Sequence, residues 1–131
     1  MKAALTARLL ADSGLSAVID DHVSWGVRPQ GEALPGIVLN QVTAGRRYNH
    51  SGFDGLTAPR LQVDCYASTQ LQAQQVGDLV VAAIEPAATV SGVDFGEAFL
   101  EAGRDMPAVD LPGGTRAFRH MLEFRFTWAS T

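Results

Sequence analysis

The stretch Ala58–Pro86 reads APRLQVDCYASTQLQAQQVGDLVVAAIEP and changes its apolar period once along its length. Its first part alternates between apolar and polar residues, which is the pattern of a β-strand with one buried face. The inward face holds Leu61, Val63 and Cys65. The outward face holds Gln62, Asp64 and Tyr66. We therefore predict a central strand in this part.

The second part of the stretch has the 3.6-residue period of an amphipathic helix. The Thr69 hydroxyl can cap its first turn, Gln72 follows three residues later as in a capping box, and Pro86 prevents the helix from continuing. Its apolar side holds Leu71, Val76, Leu79, Val80, Ala83 and Ile84. A strand followed directly by such a helix predicts that the helix packs back across a sheet.

The rest of the chain supplies further strands and at least one more helix. Lys2–Asp12 has the apolar stripe of an amphipathic helix, Ile37–Thr43 is a β-branched strand, and Phe118–Trp128 alternates most clearly. Phe95–Gly103 fits a helix or a strand, and a strand is favoured because no cap precedes it. We predict an α+β fold in one domain, residues 1–131, with a mostly antiparallel four- to five-stranded sheet and two or three helices on one face.

Two segments rich in glycine and proline, Ala44–Pro59 and Asp105–Gly114, are predicted to be long loops. The first joins two strands that already have core faces, so its large side chains are not needed in the core. It is either a solvated loop without a role or a projecting contact loop. Arginine and tyrosine are enriched at interfaces, which favours contact with a partner. The candidate interface residues are Arg46, Arg47, Tyr48, His50 and Phe53.

The composition describes an ordinary globular protein. The chain has 131 residues, of which 47% are hydrophobic and 18% charged, with a net charge of −4. An acidic domain is a poor sequence-independent binder of nucleic acid, which requires a basic face. No apolar run approaches the roughly 20 residues that span a bilayer. The single cysteine, Cys65, cannot form an internal disulfide and indicates a reducing compartment.

The sequence lacks the patterns of an active site. The three histidines form no ligand pair and Cys65 has no second cysteine, so a zinc site is not expected. Asp20-Asp21-His22 is interpreted as a solvated helix end, and His120 as a hydrogen-bonded histidine near a sheet end. Cys65 lies on an inward face, where we expect a buried and unreactive thiol. We therefore predict no catalytic, cofactor-binding or metal-binding residues.

Together these segments resemble the tail terminator, or tail-completion, proteins of long-tailed phages and of phage-derived particles such as gene transfer agents. The most specific part of the resemblance is Arg60–Ala67 with the Gln/Ala-rich helix that follows it. The other parts are the N-terminal helix from Lys2, the strand Ile37–Val42, the loop Tyr48–Gly52 and the closing strand Leu122–Trp128. They cover nearly the whole chain.

The resemblance implies a structural virion protein without enzymatic activity or cofactor. Such a protein forms a ring, typically a hexamer, that caps the tail tube, ends its polymerisation and meets the head–tail connector. Its partners would be its own copies, the tail tube protein and the connector, with DNA only passing through the lumen and no membrane involved. It would be assembled in the bacterial cytoplasm and lie at the tail–neck junction. Two alternatives stay open: another neck or head-completion adaptor, and a small-molecule-binding or enzymatic α+β domain.

Overall fold

The computed structural model describes residues 1–131 as three helices and ten strands. The helices are α1 (Lys2–Ala11), α2 (Ser13–Ile19) and α3 (Gln70–Ile84). The first five strands are β1 (Val23–Trp25), β2 (Gly36–Thr43), β3 (Arg46–Asn49), β4 (Gly52–Thr57) and β5 (Arg60–Ala67). The last five are β6 (Ala88–Val90), β7 (Val93–Phe95), β8 (Phe99–Asp110), β9 (Arg116–Arg125) and β10 (Trp128–Ser130).

The strands form two five-stranded sheets. Sheet A has the order β1-β2-β5-β9-β8 and is antiparallel except for the parallel pair β1–β2. Sheet B has the order β3-β4-β10-β7-β6 and is antiparallel throughout. The predicted α+β class and the predicted helices are confirmed. The sequence pattern indicates only one of the two sheets, because sheet B is built from strands of three to six residues.

The core lies between the inward face of sheet A and the helices. On β5, Leu61, Val63 and Cys65 have no solvent exposure, as the alternation predicts. The N-cap of α3 is confirmed, since the Thr69 hydroxyl accepts a hydrogen bond from the Gln72 amide at 3.1 Å. Helix α3 packs on β5 and β9, and α1 and α2 pack against α3. All three helices therefore cover the same face of sheet A.

The outward face of sheet A is partly covered as well. Asp64 lies on this face, yet only 4% of its surface is exposed. Its carboxylate accepts hydrogen bonds from Arg119 Nε at 3.0 Å and from Gln62 Nε2 at 3.1 Å. Met121 on the same face is also buried. A buried carboxylate requires such partners, because desolvation of an unpaired charge is costly.

The predicted loop Asp105–Gly114 is wrong over most of its length. Strand β8 continues to Asp110, and only residues 111–115 form the turn that leads into β9. The pairing with β9 skips between Met106 and Val109, which places Pro107 in a bulge. Since β8 is the edge strand of sheet A, a proline without an N–H group costs no hydrogen bond inside the sheet.

The predicted closing strand is also interrupted. Strand β9 ends at Arg125, and β10 begins at Trp128 in the other sheet. Phe126 between them is buried, and the Thr127 carbonyl accepts a hydrogen bond from the Gly96 amide at 2.8 Å. A strand that changes sheets keeps its apolar alternation, so the sequence pattern alone does not reveal the break.

Candidate assembly surfaces

The segment Ala44–Pro59 forms a β-hairpin, where the sequence predicts a loop. Strands β3 and β4 pair with Tyr48 opposite Phe53 and Asn49 opposite Gly52. At its base the Gly45 carbonyl accepts a hydrogen bond from the Ala58 amide at 2.8 Å. Gly45 has φ +67°, and a β carbon there would overlap the Ala58 carbonyl. The base of the hairpin therefore requires glycine at this position.

Side chains of the hairpin shape its turn. The Asn49 side chain accepts a hydrogen bond from the Ser51 amide at 2.8 Å, which closes an Asx-turn. The Asp54 carboxylate likewise accepts a hydrogen bond from the Leu56 amide at 2.9 Å. Gly52 continues the chain with φ +110°, a conformation that other residues rarely adopt. Local polar chemistry, rather than apolar alternation, therefore determines this hairpin.

The two faces of the hairpin differ. On one face the Arg46 guanidinium lies 3.9 Å from the centre of the Phe53 ring and 5.6 Å from that of Tyr48. On the other face Arg47 Nε lies 3.4 Å from Asp54 Oδ2. One face thus presents aromatic rings with a stacked cation, and the other presents an internal ion pair.

The aromatic face continues the core-facing side of sheet B. Arg46 pairs with Thr57, Thr57 with Trp128, and Trp128 with Phe95, so these four residues share one face. Phe95 is 3% exposed and Thr57 is 7% exposed. On the hairpin the same face is uncovered, with Phe53 40% exposed and Tyr48 67% exposed.

We call this uncovered part of sheet B the overhang; it consists of Arg46, Tyr48 and Phe53. A hollow of about 540 Å³ lies against it. The lining residues of the hollow are Ala44, Arg46, Phe53, Gly55, Thr57, Trp128 and Ser130.

The five candidate residues therefore separate into three places. Arg46, Tyr48 and Phe53 lie together on the overhang. Arg47 lies on the opposite face with Asp54, and His50 is exposed at the turn. The arrangement can bind an apolar or aromatic surface that carries a negative charge, because arginine stacked on aromatic rings keeps its N–H groups free for an acceptor.

A second surface, which sequence reasoning missed, lies on the outward face of sheet A. Residues 26–32 and the turn 111–115 enclose two adjoining gaps of about 220 and 560 Å³, both lined by Arg28 and Leu111. We call these gaps the cleft. Val38, Asp64, Tyr66 and Ala117 line its inner part, and Pro29, Glu32 and Pro112 line its outer part. These residues come from four distant parts of the chain, so no local sequence signal joins them.

Cys65 and His120, which were candidates for catalysis or metal binding, make contacts within the fold. Cys65 is buried, and burial raises the pKa of its thiol far above the usual range. His120 Nδ1 lies 2.8 Å from Asp105 Oδ1, which confirms a hydrogen-bonded histidine, but His120 lies in the middle of β9 and not near a sheet end.

The Asp20-Asp21-His22 group follows α2, with Asp20 as its C-cap, as the interpretation of a helix end predicts. The possible ligand atoms of the three side chains lie within 4.8 Å of one another. His22 Nδ1 lies 3.0 Å from the Pro35 carbonyl oxygen, and both aspartates are exposed. None of the three helices of the chain is both long and apolar enough to cross a membrane.

Comparisons with known proteins agree with the resemblance seen in the sequence. A chain described as part of the virion of a native gene transfer agent particle has a similar fold, with a TM-score of 0.73 at 16% identity. The match covers 99% of this chain and 95% of that one. A second solved structure, whose name describes no function, has a TM-score of 0.56 at 12% identity over 99% of this chain and 92% of its own. Both likenesses concern the fold alone.

Family membership comes from the sequence. A comparison with curated proteins gave no match. The family described as tail completion protein gp17 matches residues 3–128, nearly the whole chain. The chain therefore belongs to the tail completion protein family, a family of structural proteins of phage tails.

Proposed function

We propose that this chain assembles into a closed ring of six copies that caps the end of a tail tube, stops its polymerisation and offers the joining surface for the head. Family membership supports a role in tail completion. The fold that this protein shares with a chain of a virion particle supports the same role. The 131-residue chain would act as one domain, with the tail tube protein and a head–tail connector as its partners.

The observation that carries the proposal is the overhang. Phe53 and Tyr48 continue a face that is buried elsewhere in sheet B, yet they remain 40% and 67% exposed. Aromatic residues and arginine are the types that anchor protein interfaces, and they lose most solvent contact there. Such a surface suits a protein that meets its partners only during assembly.

The test is electron microscopy of tail tubes incubated with the protein. We expect the protein to be found at tube ends and the mean tube length to stop increasing. Tyr48→Ala with Phe53→Ala should abolish capping, because interface anchors typically cost about 2 kcal/mol or more each when truncated. Leu71→Ala is the matched control, since Leu71 is as exposed as Tyr48 but lies on α3.

Two results would contradict the proposal. Binding along the whole tube, without enrichment at the ends, would exclude a terminator. Binding to connector particles but never to tubes would instead favour the neck-adaptor alternative.

A further inference from the structure

The overhang and the cleft belong to different sheets: the overhang lies on sheet B, and the inner part of the cleft lies on the outward face of sheet A. Val38 and Asn40 of β2 line the cleft, whereas no residue of the overhang does. Pairing of Thr57 with Trp128 holds the hairpin in sheet B. A contact between the overhang and the cleft therefore joins two copies of the chain.

The apolar parts of the two surfaces are complementary in kind. The overhang offers the rings of Tyr48 and Phe53. The cleft offers aliphatic side chains that are unusually open to solvent: Val27 is 76% exposed and Val109 is 44% exposed. Leu111 lies beside them in the same gap. Docking of aromatic rings among these side chains would remove apolar surface from water on both partners.

One charged side chain on each surface lacks a partner. Glu32 lines the cleft, and its Oε1 atom is shielded from solvent without any hydrogen-bond partner. Such an acceptor is rare in folded proteins, where buried polar atoms almost always have partners. On the overhang, the Arg46 guanidinium stacks on two rings and forms no ion pair within the chain. Arg28 also lines the cleft and donates a hydrogen bond from Nη1 to the Glu32 backbone carbonyl at 2.5 Å, so the complementarity concerns the Arg46 cation and the Glu32 carboxylate alone.

We propose that the overhang of one copy docks into the cleft of the next, with Tyr48 and Phe53 among Val27, Val109 and Leu111, and with Arg46 paired to Glu32. This inference rests on the proposed function, because it names the contact that builds the ring. The contact is heterologous, since it joins two different surfaces. Heterologous contacts close into rings when the rotation between copies divides a full turn.

A charge exchange tests the pairing. Arg46→Glu and Glu32→Arg should each reduce the fraction of capped tube ends by about tenfold or more, because each places like charges together in the contact. A mixture of the two variants should recover capping. In an alternating ring of that mixture, every contact again joins one cation to one carboxylate, in the original or in the exchanged sense. The chain that carries both substitutions should recover capping alone.

The mixture also tests whether the ring has an even number of copies. Alternation of two variants requires an even number of copies, so native mass spectrometry should give equal amounts of both chains in each complete ring. Failure of both the mixture and the doubly substituted chain to recover capping, with all variants folded by circular dichroism, would overturn the pairing of Arg46 with Glu32.

A cross-link tests the docking without a change of charge. A chain with Ser51→Cys and Thr115→Cys keeps the rings of the overhang and the aliphatic side chains of the cleft, and it should give a ladder of covalent oligomers under mild oxidation at tube ends. The native Cys65 is buried and does not interfere. The control chain carries Ser51→Cys with Leu71→Cys, since Leu71 is exposed on the helical side of sheet A. It should give no ladder.

The outcomes separate this inference from the proposed function. If the chain with Ser51→Cys and Thr115→Cys caps tubes but gives no ladder, the ring exists and this contact is wrong. If the ladder forms in solution while tubes stay uncapped, the contact is right and the capping role is wrong. Equal ladders from the test and control chains would mean random collision and would also overturn the contact.

Discussion

The two halves of sheet B present the same face to different surroundings. Around β7, Phe95 is 3% exposed, lies 6.0 Å from Phe126 between ring centres, and has the Arg8 guanidinium 5.5 Å from its ring. On the hairpin, Phe53 has its own stacked arginine but remains 40% exposed. Both halves pair a phenylalanine with an arginine, and only the first half is covered by the core. One half of the sheet therefore stabilises the fold, while the other is available for a partner.

Substitution of Phe95 and of Phe53 should give the largest difference in the free energy of unfolding. Phe95→Ala removes a fully packed ring and should lower the free energy of unfolding by about 3 to 5 kcal/mol. Phe53→Ala removes a ring that is 40% exposed and that contributes only its stack with Arg46 and its pairing with Tyr48, so its effect should be about 1 kcal/mol. Urea denaturation of both variants measures the difference. Equal losses would mean that the hairpin is part of the core.

The ion pairs of the two regions should differ less in their contribution to the free energy of unfolding. Arg119→Met leaves the buried Asp64 carboxylate without its main partner and should cost about 3 kcal/mol. The matched change on the hairpin is Arg47→Met, which removes an exposed pair and should cost less than about 1 kcal/mol. Thermal unfolding of both variants compares them. Recovery of stability in a chain with Arg119→Met and Asp64→Asn would confirm that the unpaired charge is the cause.

Cysteine chemistry provides a third comparison. Burial raises the pKa of the Cys65 thiol, first by desolvation and then by the charges of Asp64 and Asp78. We expect slow labelling by a thiol reagent even at about pH 9, above the ordinary thiol pKa, and a cost of about 1 to 3 kcal/mol for Cys65→Ser through an unpaired hydroxyl. A cysteine placed at the hairpin turn, Ser51→Cys, should be labelled at once. Rapid labelling of Cys65 in the native protein would contradict its buried position.

A small effect on stability is also expected for Arg46→Met. This change keeps an apolar stem but removes a cation stacked over two rings, which at an exposed site is worth about 0.5 to 1 kcal/mol. Its effect on tube capping should be far larger than its effect on the melting temperature. A variant that loses melting temperature but still caps tubes would place Arg46 in the fold rather than in the contact.

The central part of the fold could be predicted because its signals are local. Alternation in Arg60–Ala67 requires only that one face be buried, and the Thr69 cap requires only residues three apart. The hairpin has no such signal. Tyr48 and Phe53 lie within polar and glycine residues, and its pairing depends on Gly45 and Asn49 instead of on an apolar period.

The extension of β8 was missed for a different reason. Pro107 normally argues against a strand, and its acceptance here depends on β8 being the edge of sheet A, which is a property of the whole fold. Of the site, the exposed residues of the hairpin were recognisable by type. That three of them share one face stays invisible in the sequence until the pairing is known, and the cleft depends on contacts between residues as distant as Val27 and Leu111.

The edge strand also bears on how the proposed ring would limit its number of copies. Proteins with a long open edge can add strands from further molecules without end, because every added strand exposes a new edge. Strand β8 lacks one donor at Pro107 and carries Glu101, Arg104 and Asp105 along its length, features that discourage pairing with another edge. Growth by strand addition is therefore disfavoured in a protein whose family completes a polymer. In the proposed ring, the number of copies would be set by the angle at which folded surfaces meet, because rotation through a fixed angle can close after a full turn, whereas strand addition does not close.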